Sequence, residues 1–166
     1  MSVHVRPATS ADERALLALD RIAWSTESGF PSVFAREQGI VFSERTPPES
    51  FLVAELDGAV VGYIRVEPKY PPLPEAAHVF GIRGLAVDPR VRRGGVASAL
   101  LVAAEELARS RGGRKLSLNV FGGNDRAQRL YARHGYVLEG RHQEEFFIDG
   151  AYVDDLTLAK VIAPRD

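Results

Sequence analysis

The chain contains no cysteine among its 166 residues. Disulfides, thiolate nucleophiles and zinc-thiolate sites are therefore excluded, and the absence fits a reducing compartment. The sequence also lacks any run of about 18 uncharged apolar residues, so we expect neither a membrane span nor a membrane partner. Its formal net charge is only -1 and its pI is about 6.4, which argues against a nucleic-acid partner. We expect a cytoplasmic protein.

The composition is that of an ordinary globular protein, with 45% apolar and 26% charged residues. A length of 166 residues suits one domain, which we expect to span residues 1–166. Strand and helix patterns interleave without an internal repeat, so the sequence predicts an α/β or α+β fold with a mixed sheet.

Local patterns place the first elements. A strand is expected at residues 3–6, and a helix at residues 11–24 begins with Ser10 and Glu13 as a capping box. A short helix is expected around residues 32–38 of an otherwise irregular segment. The prolines that follow end this segment before the chain turns to a β-rich pattern.

The β-rich pattern contains two Asp-Gly dipeptides, at residues 57–58 and 149–150, that predict hairpins. Between them, the strand "HVFGIRGLAVDP" carries Gly81 and Gly84, and glycines inside a strand often mark a bulge. A helix at residues 96–111, a strand "KLSLNV" and a helix at residues 125–134 are expected next, the last one capped by Asn124.

The segment "DPRVRRGGVASALL" joins the glycine-bearing strand to the helix at residue 96. A helix N-terminus exposes unpaired N–H groups and partial positive charge, and Arg90, Arg92 and Arg93 add formal charge there. Gly95 lets the backbone approach an anion's oxygens. The turn suits phosphate or pyrophosphate, although an ordinary tight turn with solvated arginines explains it equally well. It matches neither the P-loop nor the three-glycine dinucleotide fingerprint.

The run "LAVDPRVRRGGVA" resembles the acetyl-CoA-binding segment of the GNAT superfamily of N-acetyltransferases. The family's signature is Arg or Gln, two residues, Gly, one residue, then Gly or Ala, and Arg92, Gly95 and Ala97 fill it. A second run, "LNVFGGNDRAQRLYARHGYVLEG", resembles the family's other signature. The residues that carry this second likeness are Asn124, Ala127, Leu130, Tyr131, Gly135 and Tyr136. The likeness is strongest over residues 82–140.

The resemblance implies a GNAT-like domain in which a mixed, mostly antiparallel sheet is flanked by helices. Its two central strands would splay apart to hold pantetheine. Acetyl-CoA would be the cosubstrate and an amine acceptor the partner, with no metal and with a homodimer left open. The implied cofactor-binding residues are Leu85, Ala86, Val87, Arg92, Arg93, Gly94, Gly95, Val96, Ala97, Ser98, Asn124, Ala127 and Tyr131.

An amine that attacks a thioester must be oriented and neutral, its oxyanion must be stabilised, and the leaving thiolate needs a proton. In the family, the tyrosine at the place of Tyr131 is the usual general acid. By pattern alone, Tyr131 is more typical of a core-facing aromatic residue, and helix capping alone explains Asn124. For the general base, Glu67 and His78 are the candidates, although each is typical of a surface residue, and some family members use a chain of waters.

The sequence defines the acceptor less well than it defines the cofactor segment. Arg83 would suit a carboxylate on the substrate. The terminal hairpin, residues 139–155, is acidic and would attract a cationic amine, a polyamine or a peptide amino terminus, although a solvated hairpin face explains it too. Two other interpretations remain, namely a CoA-binding module without turnover and an unrelated phosphate-binding domain, and the second of these leaves the downstream signature unexplained.

Overall fold

The computed structural model describes residues 2–34 and 41–163, and within them the chain forms a seven-stranded sheet. The strands are β1 (His4–Pro7), β2 (Phe51–Leu56), β3 (Ala59–Pro68), β4 (Val79–Val87), β5 (Lys115–Phe121), β6 (Val137–Ile148) and β7 (Ala151–Val161). Their order is β1-β2-β3-β4-β5-β7-β6, and every neighbouring pair is antiparallel except β4 and β5. The helices are α1 (Glu13–Ala23), α2 (Pro31–Phe34), α3 (Val96–Ser110) and α4 (Asp125–Arg133). The expected mixed fold is confirmed.

The two central strands diverge, as predicted. β4 and β5 pair at only three positions, where Val79, Phe80 and Gly81 face Lys115, Leu116 and Ser117. Beyond that point β4 stays paired with β3 as far as Val87, while β5 stays paired with β7 as far as Phe121. Each strand therefore keeps one partner, and the backbone groups on their facing edges are left open to a ligand.

A bulge interrupts β4 beside this opening. Arg65 of β3 faces Gly84, but the next residue, Val66, faces Ile82, so that Arg83 has no partner across the ladder. The bulge predicted from Gly81 and Gly84 is confirmed. Because a bulge leaves one residue out of the ladder, its backbone groups are free to point elsewhere.

The helices pack on both faces of the sheet. On one face α3 buries Val96, Leu100, Leu101 and Ala104 against a large apolar cluster, and on the other α1 buries Leu16 and Leu19 against Phe51 and Val53. A Cβ at Gly62 of β3 would lie 3.0 Å from the carbonyl oxygen of Ala86 and 3.1 Å from Val96 Cγ1. The start of α3 therefore lies close to the sheet because residue 62 has no side chain. Within the described residues, no helix has the length and apolarity to cross a bilayer.

Several element boundaries differ from the prediction. The expected capping box of Ser10 and Glu13 is wrong, because the box is formed by Thr9 and Asp12, and residues Ser10–Asp12 form a 3-10 turn before α1. The Asp12 carboxylate takes this place because it also pairs with Arg6. Of the helix expected at residues 32–38, Pro31–Phe34 is helical, and residues 35–40 lie outside the described residues. Both Asp-Gly hairpin turns are confirmed, with positive φ at each residue.

Asp12 supports a prediction about acid stability. Hydrogen bonds from Arg6 lower the pKa of the buried Asp12 carboxyl from 3.8 to about 2. A carboxyl whose pKa is lowered by folding stabilises the folded protein above its unfolded pKa, and this contribution is lost as the pH falls through the folded pKa. We therefore expect Asp12→Asn to cost about 2 kcal/mol at neutral pH and little near pH 2.

Urea unfolding at pH 6.5 and near pH 2 measures this difference. Asp57→Asn is the matched control, because Asp57 is exposed in the turn between β2 and β3. The Asp12 prediction is contradicted by equal losses of stability at both pH values.

Candidate active site

A cleft of about 1310 Å³ opens where β4 and β5 separate. Its walls come from the end of β4, the end of β5, the first turn of α3, α4 and the end of α1 with the loop after it. Open sheets bind ligands beyond the ends of their strands, next to helix N-termini. The divergence of the central strands therefore produces the main candidate site.

The N-terminus of α3 faces this cleft without a side-chain cap from the described residues. The first backbone hydrogen bond of the helix runs from the Ala99 N–H to the Gly95 carbonyl, at 3.0 Å. The N–H groups of Val96, Ala97 and Ser98 therefore lack an intrahelical acceptor. Gly95 has φ of +80°, and a Cβ there would meet no protein atom within 4 Å. The turn thus presents free donors to open space, which suits an anion.

The cleft that this helix end faces is rich in arginine. The cleft walls include Arg92, Arg93, Arg126, Arg129 and Arg133. Burial lowers the pKa of Arg92, and the charge of Arg126 lowers it further. Such a concentration of like charge favours a polyanionic ligand.

The three arginines of the motif have different positions. Arg92 donates to the carbonyl oxygen of Ala23 at 2.7 Å, which ties the turn to the end of α1. Arg90, in contrast, is not part of the cleft wall and pairs with Asp88 at 2.6 Å. The Asp88 carboxylate also accepts the backbone N–H of Arg90, so this pair shapes the turn itself.

Most of the predicted cofactor residues lie together. Of the thirteen, all but Gly94 line the cleft: Leu85, Ala86, Val87, Arg92, Arg93, Gly95, Val96, Ala97, Ser98, Asn124, Ala127 and Tyr131. The Gly94 N–H donates to the Val91 carbonyl at 3.2 Å, and a Cβ at residue 94 would lie 3.1 Å from that oxygen. Gly94 therefore closes the turn, while its neighbours face the ligand space.

Tyr131 is both a core residue and a cleft residue. It is only 7% exposed, and its ring packs edge-on to Tyr136 at 5.7 Å, yet it forms part of the cleft wall. None of the described residues forms a hydrogen bond with its hydroxyl. Burial raises the pKa of Tyr131, so the phenol stays protonated at neutral pH.

Asn124 caps α4 by accepting the Ala127 N–H at 3.2 Å, which confirms the predicted cap.

The candidate bases lie in less suitable places. Glu67 is held between Arg65, at 2.7 Å, and Arg83, at 3.4 Å, so its oxygens are already engaged. His78 is exposed and lies outside the cleft wall. Arg83, the bulge residue, does line the cleft, as expected for a residue that faces the acceptor. The described residues contain no cluster of three or more His, Asp or Glu side chains suited to a metal ion.

The acidic hairpin contributes little to the cleft. Of its six carboxylates only Asp155 lines the wall, where it accepts a hydrogen bond from Asn119 at 2.7 Å. Glu139 and Asp154 form surface ion pairs with Lys115 and Arg141. The hairpin therefore does not surround the cleft with negative charge.

Two groups of cleft residues escaped the sequence analysis. Asp20, Trp24 and Tyr63 form a hydrogen-bonded cluster, and Phe30, Phe121 and Phe146 form an aromatic cluster. Asp20 lies on the polar side of an ordinary amphipathic helix, and Phe30 lies in the irregular segment. Neither position carries a local signal of function.

A parallel strand pair that opens beside an uncapped helix N-terminus, in a cleft with several arginines, is an arrangement that suits a phosphate-bearing ligand. The chain belongs to the acetyltransferase (GNAT) family, whose profile matches residues 16–136. It is therefore an acyltransferase of the N-acetyltransferase type.

Individual proteins support this assignment. The L-amino acid N-acetyltransferase AaaT of Escherichia coli strain K12 is 35% identical over 112 residues, which are 66% of this chain and 67% of that protein. The structure of smu.2055 from Streptococcus mutans UA159 has a TM-score of 0.80 at 26% identity and covers 98% of this chain and 100% of its own. The structure of yncA from Salmonella typhimurium with its cofactor acetyl-CoA has a TM-score of 0.77 at 16% identity and covers 100% of this chain and 97% of that chain, which is a likeness of fold.

Proposed function

We propose that the protein moves an acetyl group from acetyl-CoA to a primary amine by direct attack in a ternary complex. One observation carries the proposal: a single cleft joins the uncapped helix end, the bulged strand and the Tyr131 side chain. Direct transfer needs both reactants in one cavity. The absence of cysteine removes the easiest route through an acyl-enzyme.

The cofactor would lie along the open strand edge. Its pyrophosphate binds the N–H groups of residues 96–98 together with Arg92 and Arg93, and its pantetheine follows the backbone of Leu85, Ala86 and Val87. Ala127 and Asn124 contact it from α4. These assignments rest on the free donors and the open edge of β4.

The chemistry then follows from the residues around the thioester. The amine nitrogen attacks the carbonyl carbon, and the negative charge on oxygen is stabilised by a backbone N–H of the bulged strand. The C–S bond breaks, and the thiolate takes the proton of Tyr131, whose hydroxyl makes no competing hydrogen bond within the described chain. Water in the cleft removes the amine's proton, because Glu67 is engaged by two guanidinium groups, and water returns a proton to the Tyr131 phenolate for the next turnover.

The aromatic cluster favours an acceptor with an apolar body. The Phe30 ring lies edge-on to Phe121 at 5.2 Å and to Phe146 at 4.8 Å, and all three line the cleft. Arg83 and Arg65 supply positive charge in the same wall. An amino acid combines an amine, a carboxylate and a side chain, and the relative at 35% identity is an L-amino acid N-acetyltransferase. We therefore propose small amino-acid-like amines as the first acceptors to test.

We expect Phe30→Ala to raise KM for an amine with an apolar side chain by about tenfold, because aromatic contacts in a pocket are worth about 1 kcal/mol or more. The Kd of acetyl-CoA should stay unchanged. Steady-state kinetics with varied amine measure the effect. Phe147→Ala is the matched control, since Phe147 is 65% exposed and packs on Tyr152 outside the cleft wall. Equal KM values for both variants contradict the assignment.

The function itself is tested by incubating the protein with acetyl-CoA and panels of amino acids, polyamines, small amines and peptides. Release of free CoA thiol that depends on the amine, with the N-acetyl product found by mass spectrometry, is the expected result. Binding of acetyl-CoA without amine-dependent release would favour a non-catalytic CoA-binding module. Failure to bind acetyl-CoA would overturn both.

A further inference from the structure

A carboxylate near the end of α1 is held by two donors from separate elements. The Tyr63 hydroxyl, on β3, donates to Asp20 Oδ1 at 2.6 Å, and the Trp24 indole N–H donates to the same oxygen at 2.9 Å. Burial raises the pKa of Tyr63 well above its usual value, and the charge of Asp20 adds to this, so the phenol remains a donor. Two donors on one oxygen fix the orientation of the carboxylate.

The second oxygen of Asp20 is left available. None of the described residues donates a hydrogen bond to Oδ2, and every buried side-chain nitrogen or oxygen in the described chain has a partner, so Oδ2 is in contact with solvent. Asp20 lines the cleft. The cleft therefore contains an oriented carboxylate with one unused oxygen.

The cluster lies over the bulged strand. A Cβ at Gly84, the residue next to the bulge, would lie 3.8 Å from Tyr63 Cε2 and 4.0 Å from Trp24 Cζ2. The two rings that hold Asp20 therefore cover the backbone at the bulge. In the proposed reaction the thioester carbonyl lies at this backbone, so the attacking nitrogen must arrive nearby.

The charges around Asp20 bear on which ligand its carboxylate can bind. Arg21, Arg65, Arg83 and Arg92 also line the cleft, and Arg65 and Arg83 are paired with Glu67. Among these cations, which repel an ammonium group, the oriented Asp20 carboxylate attracts one. Asp155, the other carboxylate among the described cleft residues, lies on β7 and accepts a hydrogen bond from Asn119 of β5.

From this geometry we infer that Asp20 binds the acceptor's ammonium group through Oδ2 and, once cleft water has taken one of its protons, holds the neutral amine nitrogen beside the thioester, with Tyr63 and Trp24 as the residues that orient the carboxylate. This assignment rests on the proposed transferase function. It adds a specificity-determining contact that requires the acceptor to carry a cationic amine.

The test is Asp20→Asn in the full-length protein, with kcat and KM for an amine that the wild type acetylates and the Kd of acetyl-CoA by calorimetry. Asparagine keeps the oxygen that accepts from Tyr63 and Trp24 but removes the charge. We expect kcat/KM for the amine to fall by at least about tenfold, the usual effect of losing a charge-assisted hydrogen bond. The Kd of acetyl-CoA and the melting temperature should change little.

Two further variants sharpen the result. Asp57→Asn removes the same charge from an exposed turn and should leave the kinetics unchanged. Tyr63→Phe removes one orienting donor but keeps the ring on Phe51, and a smaller loss in the amine's kcat/KM is expected. A structural role for Asp20 would instead lower acetyl-CoA affinity and stability together.

The outcomes separate the two proposals. Unchanged kcat/KM in Asp20→Asn, with normal turnover by the wild type, overturns the role of Asp20 and leaves the transferase function standing. A loss confined to Asp155→Asn likewise overturns it and moves the ammonium contact to the other wall. A wild type that binds acetyl-CoA but acetylates no amine overturns both.

Discussion

Replacing Tyr131 by phenylalanine is expected to lower kcat by at least about a hundredfold, because a positioned general acid contributes about 10²–10⁴ in rate. The ring would keep its contact with Tyr136, and no hydrogen bond to a described residue is lost. The Kd of acetyl-CoA and the melting temperature should therefore stay close to those of the wild type. The kcat falls because the CoA thiolate leaves without a proton donor in the variant.

Steady-state kinetics and calorimetric titration of acetyl-CoA together measure this effect. Tyr152→Phe is the matched control, since Tyr152 is 67% exposed and lies outside the cleft wall. An unchanged kcat in Tyr131→Phe removes Tyr131 from the acid role and leaves it as a packing residue of the cleft.

Replacing Gly95 by alanine is expected to weaken acetyl-CoA binding by about a hundredfold. Gly95 has φ of +80°, and its missing side chain leaves open space at the free N–H groups of α3. A methyl group there would separate the pyrophosphate from these donors, and each charge-assisted hydrogen bond is worth about 1.5–3 kcal/mol. Loss of one or two of them gives the expected weakening.

Gly58→Ala separates this effect from backbone strain. Gly58 has φ of +79°, and a Cβ there also meets no atom within 4 Å, but it lies in the turn between β2 and β3. Both variants should therefore lose about 1–2 kcal/mol of stability from the left-handed conformation. Only Gly95→Ala should lose affinity for acetyl-CoA, and equal affinities would show that the turn does not cradle the pyrophosphate.

Much of the fold could be predicted because its signals are local. The hairpins at residues 57–58 and 149–150 follow from dipeptides that accept positive φ, and the start of α3 follows from glycines before an apolar helical stretch. The capping box was misplaced by one position, because Asp12 is selected by its pairing with Arg6, which no helical pattern shows. Where two capping boxes one residue apart are both possible, contacts from outside the helix decide which one forms.

For the site, the segment that we propose to hold the cofactor could be identified from the sequence, since Arg92, Gly95 and Ala97 lie within a few residues of one strand end and one helix start. The polar and aromatic groups proposed to contact the acceptor could be identified only in the folded chain. Tyr63 and Asp20 are 43 positions apart in the sequence, and Phe30 is also far in sequence from Phe121 and Phe146, so these residues meet only in the folded chain. The proposed cofactor turn is built by local backbone conformation, whereas the proposed acceptor wall is built by packing between distant elements, which local sequence patterns do not encode.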